Sequence, residues 1–142
     1  MYHAIVRSRV RALWRRVGAG DYRPAVAMSD PQVTFDFKGD TAISAKFTGR
    51  EQFERWFEQL FAVFPGLTMR LTDVIVRGWP WRTTVVVRPD ITTELIDGTP
   101  YRNEAVQWVS MRWGRMTSDE VFEDTLALER ALVRQGHVAP RP

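Results

Sequence analysis

The sequence contains no cysteine, and its two histidines, His3 and His137, lie near the two ends of the chain. The missing cysteine excludes disulfide bonds, thiol nucleophiles and thiolate metal sites. A histidine-based triad or metal cluster is not expected either, because such sites need histidines held next to other catalytic or ligating groups. We therefore expect a protein that uses neither a metal ion nor a cofactor.

The chain also lacks a long apolar stretch, and its N-terminus lacks the apolar region of a signal peptide. A soluble cytoplasmic protein without membrane contact is the expectation. Lysine is scarce, and the net charge of +3 comes mainly from arginine. Several arginines cluster in the first predicted helix, namely Arg7, Arg9, Arg11, Arg15 and Arg16. Because no nucleic-acid-binding motif accompanies them, a solvated helix face is preferred over a nucleic-acid site.

What the chain has in abundance is aromatic side chains. Its 142 residues fit one domain. Of these residues 44% are hydrophobic, which is enough to form a buried core without covalent cross-links. Six Trp and eight Phe are a heavy aromatic load for this length. Aromatic side chains fill cores, and they also line pockets for flat apolar ligands.

Hydrophobic periodicity predicts helices first and strands afterwards. Helices are expected over residues 3–18, from Pro24 to Met28, from Thr48 to Pro65 and from Thr125 to Gln135. Strands are expected at 33–37, 67–78, 82–96, 101–113 and 115–123. Thr48 and Glu51 have the spacing of a capping box for the third helix. This order predicts one α+β domain over residues 1–136, a strongly curved antiparallel sheet wrapped around the helices as a cone, and a flexible tail over 137–142.

Asp36 is the first candidate for a catalytic group, because Phe35 and Phe37 flank it in a short strand. An apolar environment would raise the pKa of its carboxyl group toward that of a general base. An outward orientation would instead make it a solvated strand residue. The sequence leaves both interpretations open.

Seven short segments together give the chain a resemblance to the SnoaL-like and ketosteroid-isomerase-like branch of the nuclear-transport-factor-two-like superfamily. They are Ala19-Gly20-Asp21, Ser29-Asp30-Pro31, Phe47-Thr48-Gly49-Arg50-Glu51, the stretch 61–67, Asp97-Gly98-Thr99-Pro100-Tyr101, Arg112-Trp113-Gly114-Arg115 and Phe122-Glu123-Asp124-Thr125. The resemblance covers nearly the whole chain and implies a cone-shaped fold whose interior binds a small apolar or aromatic molecule. It also implies a homodimer, in which the Trp79-Pro80-Trp81 loop serves interface or structural packing.

The resemblance also implies roles for individual acids. Asp36, three residues before Gly39, matches the general base of the ketosteroid isomerases, whereas their two oxyanion donors fall here at Leu13 and Val109. Asp124 matches an acid/base of the SnoaL-like cyclases, although a helix N-cap is an equally good interpretation. Arg88 and Asp90 match part of the relay of limonene-epoxide-hydrolase-like enzymes, and a solvated strand face is the preferred alternative for them.

If Val109 faces the interior, alternation along the strand turns Tyr101, Asn103 and Gln107 the same way. These polar groups would orient a ligand oxygen, and aromatic walls are expected from Trp56 and Phe57 together with Phe35 or Phe37. The leading hypothesis is a cofactor-free acid/base enzyme (cyclase, isomerase or epoxide hydrolase) acting on a ring-bearing or ring-forming molecule. The alternative is a non-catalytic ligand-binding or dimerisation module of the same fold.

Overall fold

The computed structural model describes residues 1–137, and it has four helices and six strands within them. The helices are α1 (Tyr2–Gly18), α2 (Arg23–Ala27), α3 (Arg50–Val63) and α4 (Thr125–Arg134). The strands are β1 (Ser29–Phe37), β2 (Ala45–Thr48), β3 (Thr68–Trp79), β4 (Arg82–Glu94), β5 (Pro100–Arg112) and β6 (Arg115–Glu123). The predicted α+β class is confirmed. Of the predicted tail, residues 138–142 lie outside the described residues.

The six strands form one curved sheet in the order β2-β1-β6-β5-β4-β3. Four of the five neighbouring pairs are antiparallel, as expected from the strand meander, but β1 pairs with β6 in parallel. This pairing joins the first part of the chain to the last strand. It brings Phe35 directly beside Asp119.

The inner face of the sheet carries the core residues in rows that run across the strands. One row runs through Val85, Val109, Asp119 and Phe35, and the next runs through Val87, Gln107, Val121 and Phe37. Because side chains alternate between the two faces of a strand, the residues between these positions point outward. Two polar residues, Asp119 and Gln107, therefore stand in otherwise apolar rows.

Helix α3 covers the inner face with the aromatic stripe that its periodicity predicts. Phe53, Trp56, Phe57 and Leu60 are all buried, since residues three and four apart share one side of a helix. The indole Nε1 of Trp56 donates to the backbone oxygen of Ile43 at 2.9 Å, which ties the loop before β2 to this helix.

Helix α1 packs closely against β3, and Gly18 is the point of contact. A Cβ atom added to Gly18 would lie only 2.1 Å from the backbone oxygen of Met69. No side chain fits at that distance, so the approach of α1 to the sheet requires glycine there. This contact determines how the first helix covers one side of the interior.

Two local predictions are corrected by the structure. The expected capping box is wrong, because Thr48 belongs to β2 and pairs with Thr34, so that Gly49 becomes the N-cap of α3 without a side-chain bond. Glu51 instead pairs with Arg55 one turn later, at 2.6 Å. Strand β1 begins at Ser29 rather than at Val33, because residues before Val33 also join the sheet.

Candidate active site

An internal cavity of about 80 Å³ lies between the inner face of the sheet and helices α1, α2 and α3. Aliphatic, aromatic and thioether side chains form most of its lining: Val10, Leu13, Trp14, Val17, Ala25, Met28, Phe35, Phe53, Trp56, Phe57, Leu60, Met69, Val85, Val87, Val109, Met111 and Met116. The remaining two lining residues are Gln107 and Asp119. Such a lining suits a mostly apolar ligand that a few polar contacts orient.

Asp119 presents a carboxyl group to this cavity from the middle of β6. The residue is only 5% exposed, and its Oδ1 atom has no hydrogen-bond partner within residues 1–137. Burial raises the pKa of this carboxyl group to about 7, and the negative charge of Glu120 adds to the effect. A carboxylic acid with a pKa near neutrality exchanges protons in either direction at physiological pH, which is the property required of a general acid or base.

A β-bulge allows Asp119 and Met116 to face the same cavity. Met116 also lines the cavity, and two residues three positions apart would face opposite sides of a regular strand. Ser110 pairs with Ser118 whereas Met111 pairs with Met116, so Thr117 is an extra residue in β6. Bulges re-aim side chains in this way and are common beside active sites.

Sequence reasoning did not select Asp119, because the residue pattern of β6 does not indicate which of its faces is buried. One signal was nevertheless present. Val121 lies between Asp119 and Glu123 with alternating spacing, so any orientation that buries Val121 also turns both acids inward.

Gln107 lies on β5 diagonally across from Asp119 on the inner face. It pairs with Val121, while Asp119 pairs with Val109 two residues farther along β5. Side chains in this diagonal relation are neighbours on the sheet surface. A ligand oxygen between the two strands is thus within reach of both a carboxyl group and an amide.

A second, smaller cavity of about 30 Å³ lies on the other side of Gln107. Trp56, Leu60 and Met69 line both cavities and, together with Gln107, separate them. The smaller cavity has two titratable lining residues, Tyr101 and Glu123.

The side chain of Asn103 contacts both Tyr101 and Glu123. Its Nδ2 atom donates to Tyr101 Oη at 2.8 Å and to the backbone oxygen of Asp124 at 3.0 Å, and it lies 3.3 Å from Glu123 Oε2. Burial raises the pKa of Glu123 to about 8, with the charge of Asp124 as a further cause. Burial, followed by the charge of Glu123, also raises the pKa of Tyr101. Both side chains are therefore mainly protonated at neutral pH.

Asp36 does not reach the interior, so its expected role as the internal proton acceptor is wrong. Phe35 and Phe37 occupy the inner face, and the residue between them must point outward. On the outer face the Asp36 carboxylate lies 2.5 Å from the Nζ atom of Lys38, which also approaches Glu120 at 3.7 Å. Asp36 is thus a partly exposed ion-pair residue that lines neither cavity.

Asp124 is the N-cap of α4, which was one of its two expected roles. Its Oδ1 atom accepts hydrogen bonds from the backbone nitrogens of Leu126 and Ala127, both at 3.1 Å. Because the side chain is exposed, caps the helix and lines neither cavity, the acid/base assignment is corrected.

Arg88 and Asp90 lie on the outer face, as the solvated-face interpretation predicts. Arg88 is exposed, and Asp90 lies 3.8 Å from the guanidinium group of Arg70. Neither residue lines a cavity, so the epoxide-hydrolase-like relay is not assembled in the interior.

The predicted wall residues lie in the interior, and their role in binding a ligand stays a prediction. Phe35, Trp56, Phe57 and Val109 line the larger cavity, Tyr101 lines the smaller one, and Gln107 lines both. Asn103 is buried on the same face but lines neither cavity, and its amide is hydrogen-bonded to neighbouring groups.

A surface groove of about 340 Å³ adjoins the larger cavity beside α1. Val10, Leu13, Met28 and Met111 line both spaces and therefore form the barrier between them. Four of the five methionines in the chain line the larger cavity. Unbranched thioether side chains adapt their shape readily, so this interior is deformable.

The sequence profile of the SnoaL-like domain matches residues 10–118, which is more than half of the chain. The chain belongs to the SnoaL-like family. A comparison of this SnoaL-like protein with curated proteins found no match.

Known structures support the same fold. The structure of TerC co-crystallised with polyporic acid has a TM-score of 0.73 and 18% identity, over 87% of this chain and 95% of that chain. A putative SnoaL-like polyketide cyclase from Jannaschia sp. gives 0.71 and 21%, over 96% and 92%. A protein with a ketosteroid-isomerase-like fold from Catenulispora acidiphila, in complex with trimethylamine, gives 0.65 and 20%, over 93% of each chain. At these identities the likeness shows the fold alone.

Two further observations describe this SnoaL-like protein. No helix within residues 1–137 is long and apolar enough to cross a membrane. Within the same residues, no three His, Asp or Glu side chains form a group that could hold a metal ion.

Proposed function

We propose that the protein is a small-molecule enzyme whose general base is Asp119 and whose substrate is a mostly apolar, ring-bearing or ring-forming carbonyl compound. The observation that carries this proposal is a buried carboxyl group whose Oδ1 atom has no hydrogen-bond partner within residues 1–137 and which lines an apolar cavity. Leaving such a group unpaired costs stability, and a cost of this kind is tolerated mainly where function needs it.

The proposed step is proton transfer from carbon. The Asp119 carboxylate removes a proton from the carbon next to a substrate carbonyl, and the bonding pair moves to the carbonyl oxygen. Gln107 donates a hydrogen bond to the resulting enolate oxygen. Asp119 then returns the proton, either to another carbon in an isomerisation or to the alkoxide formed when the carbanion closes a ring onto a second carbonyl.

Three considerations favour cyclase or isomerase chemistry over epoxide hydrolysis. Arg88 and Asp90 point away from the cavities, and the larger cavity offers few polar groups that would hold a reacting water molecule. The similar structure from Jannaschia sp. is described as a putative polyketide cyclase, which agrees with carbonyl chemistry.

A homodimer is the assembly we propose. On the outer face, Trp108 is 43% exposed in a row with Val86 and Ile75, and Phe122 is exposed nearby. An exposed apolar patch of this kind on a sheet is typical of a protein interface. Trp79 is 56% exposed, and it stacks on Tyr2 with ring centres 6.4 Å apart.

The proposed function is tested by hydrogen exchange at carbon. The probe is 2-tetralone, an apolar bicyclic ketone with acidic protons beside its carbonyl group, incubated with the protein in deuterated buffer and analysed by mass spectrometry. The wild-type protein should accelerate deuterium incorporation, with a rate that rises with pH through about 7.

Asp119→Asn should lower that rate by about 100-fold or more, since general-base catalysis contributes about that much. Asp36→Asn is the matched control, because it removes a carboxylate from the opposite face of the sheet, and its rate should stay within about twofold of wild type. Equal rates for wild type and Asp119→Asn, or no wild-type acceleration over buffer, would refute the proposal.

A further inference from the structure

The interior contains a second group of polar side chains that the proposed proton transfer does not use. Asp119 and Glu123 lie four residues apart on the same face of β6, which separates their Cα atoms by about 13 Å. Asp119 faces the larger cavity and Glu123 faces the smaller one. The two acids thus mark the two ends of one apolar space that is divided in the middle.

The far end of this space is built from uncharged donors. Neither cavity is lined by a lysine or arginine among the residues that the structure describes. Asn103 has two N–H hydrogens for three nearby acceptors, and its contact with Glu123, at 3.3 Å, is the longest of the three. Tyr101 accepts a hydrogen bond from Asn103, which leaves its own hydroxyl hydrogen available. A ligand oxygen at this end would therefore meet the hydroxyl of Tyr101 and the carboxyl group of Glu123.

We propose that the smaller cavity is a second polar subsite, in which Glu123 and Tyr101 bind an oxygen at the far end of an elongated, flat substrate. The inference extends the proposed function and rests on it for one point only, that the reacting end of the substrate lies at Asp119. The ligand class is an uncharged, rigid, mostly apolar molecule with a hydroxyl or carbonyl oxygen at each end.

Met69 is the movable part of the partition between the two cavities. The other shared residues are Leu60 on α3, Gln107 in the middle of the sheet, and Trp56, whose ring packs against those of Phe35 and Phe57. A methionine side chain has several rotatable bonds and adapts to its surroundings. We expect rotation of this side chain to widen the connection between the two cavities without a change in the backbone.

The test compares two probes that differ by one hydroxyl group. 2-Hydroxyanthraquinone has a hydroxyl at one end of a flat three-ring system, and 2,6-dihydroxyanthraquinone has one at each end. Isothermal titration calorimetry at pH 6 measures the dissociation constant of each probe. The wild-type protein should bind the dihydroxy compound about tenfold more tightly, as expected for additional buried hydrogen bonds.

Three variants separate the subsite from general effects on folding. Glu123→Gln keeps a hydrogen-bond donor and should keep the preference for the dihydroxy compound. Glu123→Leu has a similar volume without a donor and should reduce the preference to about twofold or less. Tyr101→Phe should reduce the preference for the dihydroxy compound partially. The ratio of the two affinities is the decisive quantity, because a structural defect would weaken both probes together.

Equal affinities of the wild-type protein for the two probes, or no binding of either, would overturn the second subsite. An unchanged preference in Glu123→Leu would overturn it as well. Asp119→Asn leaves the second subsite intact. If this variant keeps the preference for the dihydroxy compound and also keeps the wild-type rate of ketone exchange, the proposed function alone is refuted. Lost exchange in Asp119→Asn together with equal wild-type affinities would refute the second subsite alone.

Discussion

Asp36 and Asp119 lie on adjacent strands, yet their side chains are on opposite faces of the sheet. Asp119 pairs with Phe35, and Asp36 pairs with Glu120. One residue of offset therefore separates a carboxylate that forms an ion pair with Lys38 from a carboxyl group enclosed in an apolar cavity. The chemistry available to each acid follows from the face it occupies, not from its neighbours in the sequence.

The free energy of unfolding should depend on the protonation of Asp119. Its pKa is about 7 in the folded state against a usual 3.8, so the folded state binds the proton more tightly. The protonated Asp119 makes its full contribution to the free energy of unfolding below about pH 4. This contribution is lost as the pH rises through about 7, because the ionised carboxylate is buried away from water. Glu123, with a pKa of about 8, acts in the same direction.

The Asp119→Asn variant has no ionisable group at position 119. Its free energy of unfolding relative to the wild type should therefore increase as the pH rises from about 4 to 8. A change on the order of 3 kcal/mol is expected. Urea unfolding at several pH values measures it. A difference that stays constant over this range would show that the carboxyl group is not buried in solution.

Gly18→Ala should destabilise the protein by about 3 kcal/mol, because the new methyl group would overlap the Met69 backbone oxygen. Gly66→Ala is the matched control, since its Cβ atom would meet only the Thr93 hydroxyl at 3.4 Å. Thermal and urea unfolding of both variants provide the comparison. Equal stability of the two alanine variants would contradict the close packing of α1 on β3.

Asp124→Ala should lower the free energy of unfolding by about 1 kcal/mol through loss of the α4 cap, whereas Asp124→Asn, which keeps an acceptor oxygen, should lose little. Ketone exchange, measured where both variants are fully folded, should match the wild type. A large loss of exchange in Asp124→Asn without a loss of stability would restore an acid/base role for this residue.

Trp108→Arg should convert a wild-type dimer into a monomer, because it places a charge in the middle of the exposed outer-face row. Ile96→Arg is the control, since Ile96 is 83% exposed in the turn after β4, away from that row. Sedimentation velocity distinguishes the two forms. A monomeric wild-type protein, or a Trp108→Arg variant that stays dimeric, would contradict an interface on the outer face.

Much of the fold was predictable because its signals are local. The aromatic stripe of α3 has helical spacing, and the turn at Asp97-Gly98 joins β4 to β5 as predicted, with Gly98 at φ 82°. Alternation along β5 correctly turned Tyr101, Asn103 and Gln107 inward once Val109 was assigned to the interior. Each of these inferences depends only on residues close together in the chain.

The acid at the centre of the candidate site could not be predicted in this way. Asp119 and Val121 share a face by alternation, but the extra residue Thr117 places Met116 on that face as well. The period-two pattern of β6 is therefore interrupted, and it does not indicate which face is buried. The same limit explains the error at Asp36. Its two flanking phenylalanines suggested an apolar environment. In a strand, however, two inward-facing neighbours place the residue between them on the opposite face.

The sequence by itself determined the class of the fold, the aromatic character of the interior and the absence of thiol chemistry, since these depend on composition and short-range periodicity. Only the tertiary structure decided which carboxyl groups are withdrawn from water. That outcome depends on strand register and on the parallel pairing of β1 with β6, which join residues more than eighty positions apart in the chain.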